Sequence, residues 1–160
     1  MNKALLLEQI ITELQSTHQS ALAAAMRAYN TATNDENIAE NKYDTLALEA
    51  SYLAHGQAQR VAECAADVEA FKRLQVTDNK EKLTVTLGSL VVLVDDHDNR
   101  KYIFLGPSAG GLKVTFAQKE IIVVTVSSPL GEALINRELD GQINVHIGDQ
   151  VLNYEIAMIC

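Results

Sequence analysis

Two long runs in which apolar or small residues recur at spacings of four and three occupy the first half of the chain. This spacing places one stripe along a helix, which is what two packed helices need. Between the runs, residues 30–37 read Asn-Thr-Ala-Thr-Asn-Asp-Glu-Asn, a stretch rich in turn and cap formers. The sequence therefore predicts an antiparallel helical hairpin, a coiled coil with helices over about residues 3–31 and 37–74. The predicted seam consists of Leu7, Ile11, Leu14, His18, Ala21, Ala25 and Ala28 on the first helix and Tyr43, Ala47, Ala50, Ala54, Gln57, Val61, Cys64, Val68 and Phe71 on the second.

The turn of this hairpin carries four carboxylates within ten residues, at Asp35, Glu36, Glu40 and Asp44. Acids at a helix N-terminus are favoured by capping and by the helix dipole, and Asp35 and Glu36 could serve only that purpose. Glu40 and Asp44 are four residues apart and share one helical face. Clustered carboxylates can hold a hard divalent ion, but two or three oxygens do not fill an octahedral magnesium shell. A metal role therefore requires ligands from elsewhere.

Charge and composition exclude several classes of function. The formal net charge is −8, and each half of the chain contributes −4: 6 basic against 10 acidic residues in 1–76, and 7 against 11 in 77–160. Without clustered Lys and Arg, direct binding to nucleic acid is disfavoured. No apolar run approaches the ~20 residues of a membrane span, and no N-terminal run has the form of a secretory signal. Cys64 and Cys160 lack the spacing of a disulfide framework or thiolate metal site. We expect a cytoplasmic protein that is a monomer.

After a polar segment at 77–82, the apolar period changes from helical to strand-like. Strands are predicted over about residues 84–94, 101–105, 121–126, 142–147 and 151–159. A short helix should run from Ser128, as N-cap, through about Asn136, with Pro129 at its first position. The predicted domains are a hairpin at 1–76 with an acidic tip near 34–44, a linker at 77–82, and a small antiparallel β-sheet domain with one short helix at 83–160, an α+β architecture.

Two further motifs in this half favour structural interpretations. Asp95, Asp96 and Asp98 lack the downstream ligand of a calcium loop, so a solvated hairpin turn explains them better. The glycine-rich segment 106–111 is followed by neither a lysine nor a helix, and it does not have the form of a phosphate loop.

The chain resembles the Gre family of bacterial transcript cleavage factors, and the most specific match is the segment 124–135. It reads Val-Thr-Val-Ser-Ser-Pro-Leu-Gly-Glu-Ala-Leu-Ile and is similar to the family signature S-x-x-S-P-[IL]-[GA]-x-A/G-L, with Ser128, Pro129 and Leu134 at matching positions. Segment 87–93 resembles the G-x-x-V-x-[VL] strand that opens the family's C-terminal domain. Ala39-Glu40-Asn41 resembles the E-N-[AS] stretch at the start of its second helix. The similarity covers nearly the whole chain in order.

The resemblance implies an FKBP-like C-terminal domain that docks at the rim of the secondary channel of RNA polymerase, and a hairpin that enters the channel. It implies that the tip acids Glu40, Asp44, Glu36 and Asp35 assist the polymerase active site, with Glu40 and Asp44 as ligands of a shared Mg²⁺. The factor would bind no cofactor alone. It would not be an enzyme itself, but would stimulate cleavage of backtracked RNA by the polymerase, and would meet nucleic acid only through that partner.

The tip departs from the family pattern, and the departure leaves alternatives open. Cleavage factors carry G-[DN]-x-x-E-N, whereas alignment on Glu40-Asn41 puts Glu36 at the glycine and Asn37 at the first acid. A channel-binding regulator that does not cleave RNA is one alternative. A chaperone-like coiled coil with an FKBP-like module, unrelated to transcription, is another.

Overall fold

A computed structural model describes residues 2–33, 46–76 and 84–160. The predicted acidic tip and the predicted linker at 77–82 lie outside the described residues, so the predicted domain boundaries stay predictions. By contacts the chain divides into two compact units. The sheet unit comprises the described residues up to Ile11 and those from Ala70 to Cys160, and the hairpin unit comprises Thr12–Glu69.

Two long helices, α1 (Lys3–Thr33) and α2 (Leu46–Lys72), supply the hairpin unit. The seam prediction agrees with their burial, because Leu14, Ala21 and Ala28 are buried on α1 and Ala50, Cys64 and Val68 on α2. These positions keep the spacing of four and three that packs one helix on another. Cys64 lies in this seam, as predicted for a small apolar residue.

The sheet unit contains six strands and one short helix. In chain order these are β1 (Leu90–Asp95), β2 (Arg100–Gly106), β3 (Lys113–Phe116), β4 (Lys119–Thr125), α3 (Pro129–Leu134), β5 (Gln142–Ile147) and β6 (Gln150–Ile159). The strands form one sheet in the order β3-β4-β2-β1-β6-β5. The five strands that the sequence predicted all form, and β3 is a sixth that it did not predict. The first of the five begins at Leu90 and not near residue 84, because a turn with Gly88 at φ of 80° precedes it.

The predicted α+β architecture, a helical hairpin followed by an antiparallel sheet domain with one short helix, is confirmed, but one pair of strands in the sheet is not antiparallel. β2 and β4 are parallel, with Tyr102 opposite Ile121 and Gly106 opposite Thr125. The cause is the unpredicted β3, which forms an antiparallel hairpin with β4 on the side away from β2. The chain therefore reverses twice after β2, and β4 runs in the same direction as β2. The other four neighbouring pairs are antiparallel.

Successive side chains on a strand point to opposite faces of the sheet. Both faces of this sheet are covered. On one face α3 packs over a core cluster that includes Leu93, Ile103 and Leu134. On the other face the Phe71 ring, at the end of α2, stacks on Phe104 with 6.3 Å between ring centroids. The base of α1 also reaches the sheet, since Gln9 Nε2 donates to the Thr115 carbonyl at 2.8 Å. At this base Leu6 and Ile10 are the fully buried apolar residues, one position before the predicted Leu7 and Ile11.

Candidate functional site

The segment with the most specific family resemblance forms the corner at which β4 ends and α3 begins. Ser128 is the N-cap of α3, with extended backbone, and Pro129 occupies the first turn, both as predicted. The Ser128 hydroxyl donates to the Thr125 carbonyl at 2.8 Å and accepts from the Gly131 N–H at 3.1 Å. One hydroxyl thus joins the end of the strand to the start of the helix, which fixes the angle between them.

Gly131 and Leu134 are the buried residues that stabilise the same corner. A Cβ built on Gly131 would lie 1.9 Å from the Thr125 carbonyl oxygen, so only glycine permits this approach of helix and strand. Leu134 is fully buried in the core cluster. The three predicted motif residues Ser128, Pro129 and Leu134 therefore shape the corner. Its exposed residues, Val126, Ser127, Pro129 and Glu132, are the ones available to a partner.

The predicted tip residues Asp35, Glu36, Glu40 and Asp44 lie outside the described residues. Their predicted assignment as metal ligands therefore stays a prediction. Within the described ranges, no group of three or more His, Cys, Asp or Glu side chains could hold a metal ion. In the same ranges, no helix is both long and apolar enough to cross a membrane.

The aspartates after β1 form the hairpin turn that the sequence predicted. Asp95 Oδ1 accepts hydrogen bonds from the backbone N–H groups of His97 and Asn99, both at 2.9 Å, and Oδ2 accepts from Asn99 Nδ2 at 3.1 Å. Hydrogen bonds from Asn99, first of all from its side chain, lower the pKa of Asp95 below its ordinary value. This carboxylate therefore organises the turn and has little capacity left for a cation.

A polar groove of about 450 Å³ lies beside this turn, and the sequence did not reveal it. The acids of the turn line one side, and Gln142, Asn144 and Glu155 from β5 and β6 line the other. Asn153 Nδ2 donates to Asp96 Oδ2 at 3.2 Å within it. The groove combines residues about fifty positions apart, which only the antiparallel pairing of β1 with β6 and of β6 with β5 brings together.

Two cation–phenol contacts lie on opposite faces of the sheet near the start of β2. Lys119 Nζ lies 4.6 Å from the centroid of the Tyr102 ring, and Lys101 Nζ donates to the Tyr154 hydroxyl at 2.7 Å. The hydrogen bond from Lys119 lowers the pKa of Tyr102, and its charge and that of Arg100 act in the same direction. Such contacts between distant residues leave no periodic signal in the sequence.

Comparison with known proteins gives one informative match in sequence. No protein-family model matches the chain. A transcription elongation factor GreA from Mesorhizobium japonicum is 26% identical over 149 residues, which cover 92% of this chain and 88% of that protein.

Solved structures of similar proteins are more distant in sequence. GreA factor homolog 1 (Gfh1) of Thermus thermophilus shares 16% identity over 94% of both chains, with a TM-score of 0.40. Thermus aquaticus Gfh1 shares 16% over 92% of both, with a TM-score of 0.41. The GreA/GreB elongation factor of Nitrosomonas europaea shares 19% over 70% of this chain and 91% of that one, with a TM-score of 0.38. Because these TM-scores are low, the comparison rests on the sequence match to GreA. It extends over both halves of the chain in order, and the predicted resemblance to the Gre family of transcription elongation factors is confirmed.

Proposed function

We propose that this chain is a transcription elongation factor that binds RNA polymerase at the secondary channel and stimulates cleavage of backtracked RNA. The observation that carries the proposal is the match to GreA, which spans 92% of this chain and 88% of that protein. A match of this extent includes both the hairpin and the sheet unit, the two parts that such an activity would require. The protein would act in the cytoplasm together with polymerase, and it would not be the enzyme itself.

The two units would have separate tasks. The sheet unit would dock on the polymerase, because it has a closed core and a corner fixed by Ser128 and Gly131. The hairpin would carry the acids Glu40, Asp44, Glu36 and Asp35 to the active site. Docking energy and chemistry would then reside in different parts of the chain, so that they can be separated by mutation.

The carboxylates of the tip would coordinate magnesium only in a ligand shell that is shared with the polymerase. Carboxylate oxygens are the ligands that Mg²⁺ prefers, but Glu40 and Asp44 supply too few for octahedral coordination, so the polymerase would supply the rest. The shared ion would activate a water molecule for phosphodiester hydrolysis. The contribution of this chain is to place charged oxygens there and hold them.

One observation favours a second candidate function, a regulator that occupies the same channel without cleavage. In the register set by Glu40-Asn41, Glu36 stands where cleavage factors have glycine, and Asn37 stands at the first acid. With one acid displaced, the tip could slow or block the polymerase by its charge alone.

A cleavage assay on halted, backtracked complexes of purified bacterial polymerase tests the first proposal. Wild type should release short 3′ fragments of labelled RNA. Glu40→Ala should abolish stimulated cleavage, because a lost ligand removes stabilisation needed only in the reaction, while co-purification with polymerase stays within a few fold. Asp44→Ala should weaken cleavage, with partial recovery at raised magnesium.

The matched control is Glu13→Ala, which removes an exposed acid of α1 and should leave both readouts unchanged. If wild type binds polymerase and slows it without cleavage at any magnesium concentration, the regulator is the correct function. If wild type does not co-purify with polymerase, both candidates are wrong, and a role outside transcription takes their place.

A further inference from the structure

The two edges of the sheet differ in how far they are closed to another strand. An edge strand presents unpaired N–H and C=O groups, and proteins usually block it with a short length, with charge or with a covering group. β3 has all three, because it is four residues long, begins with Lys113, and has its Thr115 carbonyl bonded by Gln9 Nε2 at 2.8 Å. β5 forms the other edge, and it is longer and uncharged.

β5 is a regular strand whose outer side is open. Its six residues include no proline and no Asp, Glu, Lys or Arg, and all six pair with β6 without a bulge. Just before the strand, the Ile156 N–H donates to the Gly141 carbonyl. Bonded pairs alternate along an antiparallel ladder, so the N–H and C=O groups of Gln142, Asn144 and His146 point away from β6. In the described part of the chain these outward groups have no hydrogen-bond partner.

The side chains of β5 present a different surface on each face of the sheet. Ile143 and Val145 belong to the core cluster under α3, and Ile147 at the end of the same face is 57% exposed. Gln142 and Asn144 point to the opposite face, where they line the polar groove of about 450 Å³. A strand added to this edge would therefore have one polar side and one apolar side.

The polar groove beside this edge is acidic. Asp96, Asp98 and Glu155 line it, and within the described ranges none of the three forms an ion pair with a Lys, Arg or His. A strand added outside β5 would lie about 10 Å from β6, which is two strand spacings. A Lys or Arg side chain on that strand can cross β5 and reach these carboxylates.

We propose that the edge of β5 binds an extended segment of another protein, in which cationic side chains alternate with apolar ones. The segment adds a strand to the sheet through the outward N–H and C=O groups of β5, and these main-chain bonds supply affinity. Its Lys or Arg side chains meet the carboxylates of the groove, and its apolar side chains lie on the face of Ile147. This alternation supplies specificity.

Charge selects such a segment over a second copy of the chain. Two β5 edges could pair with each other, but Asp140 and Asp149 flank the strand, and each copy would bring its own acidic groove. Like charges would then meet in chains whose net charge is −8, whereas a cationic segment neutralises them. The proposal goes beyond the proposed function, because it involves neither the hairpin unit nor the corner at Ser128.

Fluorescence anisotropy with labelled synthetic peptides tests the proposal on the full chain. A peptide of alternating Lys and Val should bind, and its affinity should fall as salt is raised. A peptide of alternating Glu and Val should bind at least about tenfold more weakly. Only one of the two sets of amides, those of Lys or those of Val, can point toward β5. N-methylation of that set should abolish binding, and N-methylation of the other set should leave it within about twofold.

A proline at each edge provides the matched pair of variants. Asn144→Pro removes an outward N–H without breaking a bond to β6, so it should weaken binding of the Lys-Val peptide at least about tenfold. Thr115→Pro makes the same kind of change on the β3 edge and should bind within about twofold of wild type. Circular dichroism verifies that both variants fold, and if Asn144→Pro does not, the two methylated peptides decide the question on wild type.

Three results would overturn the proposal. The first is a wild type that does not bind the Lys-Val peptide, and the second is equal weakening by the two N-methylated peptides. The third is a wild type that dimerises in sedimentation equilibrium and loses the dimer in Asn144→Pro, because the occupant of the edge would then be a second copy of the chain.

Discussion

The sheet unit and the hairpin unit bury their apolar residues in different ways. In the sheet unit, both faces of a six-stranded sheet are covered, and Leu134 and Phe104 are fully buried. In the hairpin unit, burial is confined to a narrow seam of residues such as Ala21 and Ala50, and large side chains such as Tyr52 stay at the surface. The first arrangement makes a rigid body that holds its own surface in place. The second leaves apolar surface for contacts with other molecules.

The largest expected effect comes from comparing a glycine-to-alanine substitution in the sheet unit with one in the hairpin unit. Gly131→Ala should destabilise the sheet unit by about 4 kcal/mol or more, because the new Cβ would meet the Thr125 carbonyl oxygen at 1.9 Å and the corner must open. Gly56→Ala should instead stabilise the hairpin unit by about 0.5–1 kcal/mol, since nothing lies within 4 Å and alanine is the better helix former.

Urea denaturation followed by circular dichroism measures both changes. Equal effects of the two variants, in either direction, would contradict the contrast between a tightly constrained corner and a helix with free space around it.

A buried charge tests the narrow seam. Leu14 is 4% exposed, and Leu14→Asp should cost about 3 kcal/mol or more, because the carboxylate would be desolvated without a partner. Ser16→Asp, on the exposed surface of the same turn, should change stability by less than about 0.5 kcal/mol. Thermal melting of the two variants provides the measurement. An unchanged melting temperature for Leu14→Asp would show that the seam does not hold the helices together.

Features that depend on local pattern could be predicted from the sequence. The seam follows from the spacing of residues such as Ala28 and Cys64, and the corner follows from Ser128-Pro129, because a cap and a first-turn proline act over three or four residues. The closing hairpin of β5 and β6 was predicted within one residue, since alternation there is clear and a glycine marks the turn.

Features that depend on unusual turns or distant pairs could not be predicted. β3 has four residues, too few to show alternation, and its turn to β4 is Ala117-Gln118, with φ of 50° and 62°. Two-residue turns in which both φ values are positive are normally recognised in a sequence by Asn-Gly or Asp-Gly. The polar groove also could not be predicted from the sequence, because it combines residues from separate elements.

The smallest expected effect concerns the surface of the sheet unit, where the side chains of Lys119 and Tyr102 meet. The hydrogen bond and charge of Lys119 lower the pKa of Tyr102, since both favour the phenolate. Lys119→Gln should therefore raise the pKa of Tyr102 toward its ordinary value. The measurement is a shift of the tyrosinate absorbance, and Tyr102→Phe should remove that absorbance.

Because the pKa is lowered in the folded state, the contribution of Tyr102 to stability is fully present above the unfolded pKa of about 10 and is lost as the pH falls through the lower folded value. Lys113→Gln, which removes a lysine paired with Glu120 instead, is the matched control and should leave the titration unchanged. A similar shift in both variants would assign the effect to the net charge of the sheet unit, because a direct contact acts only through Lys119.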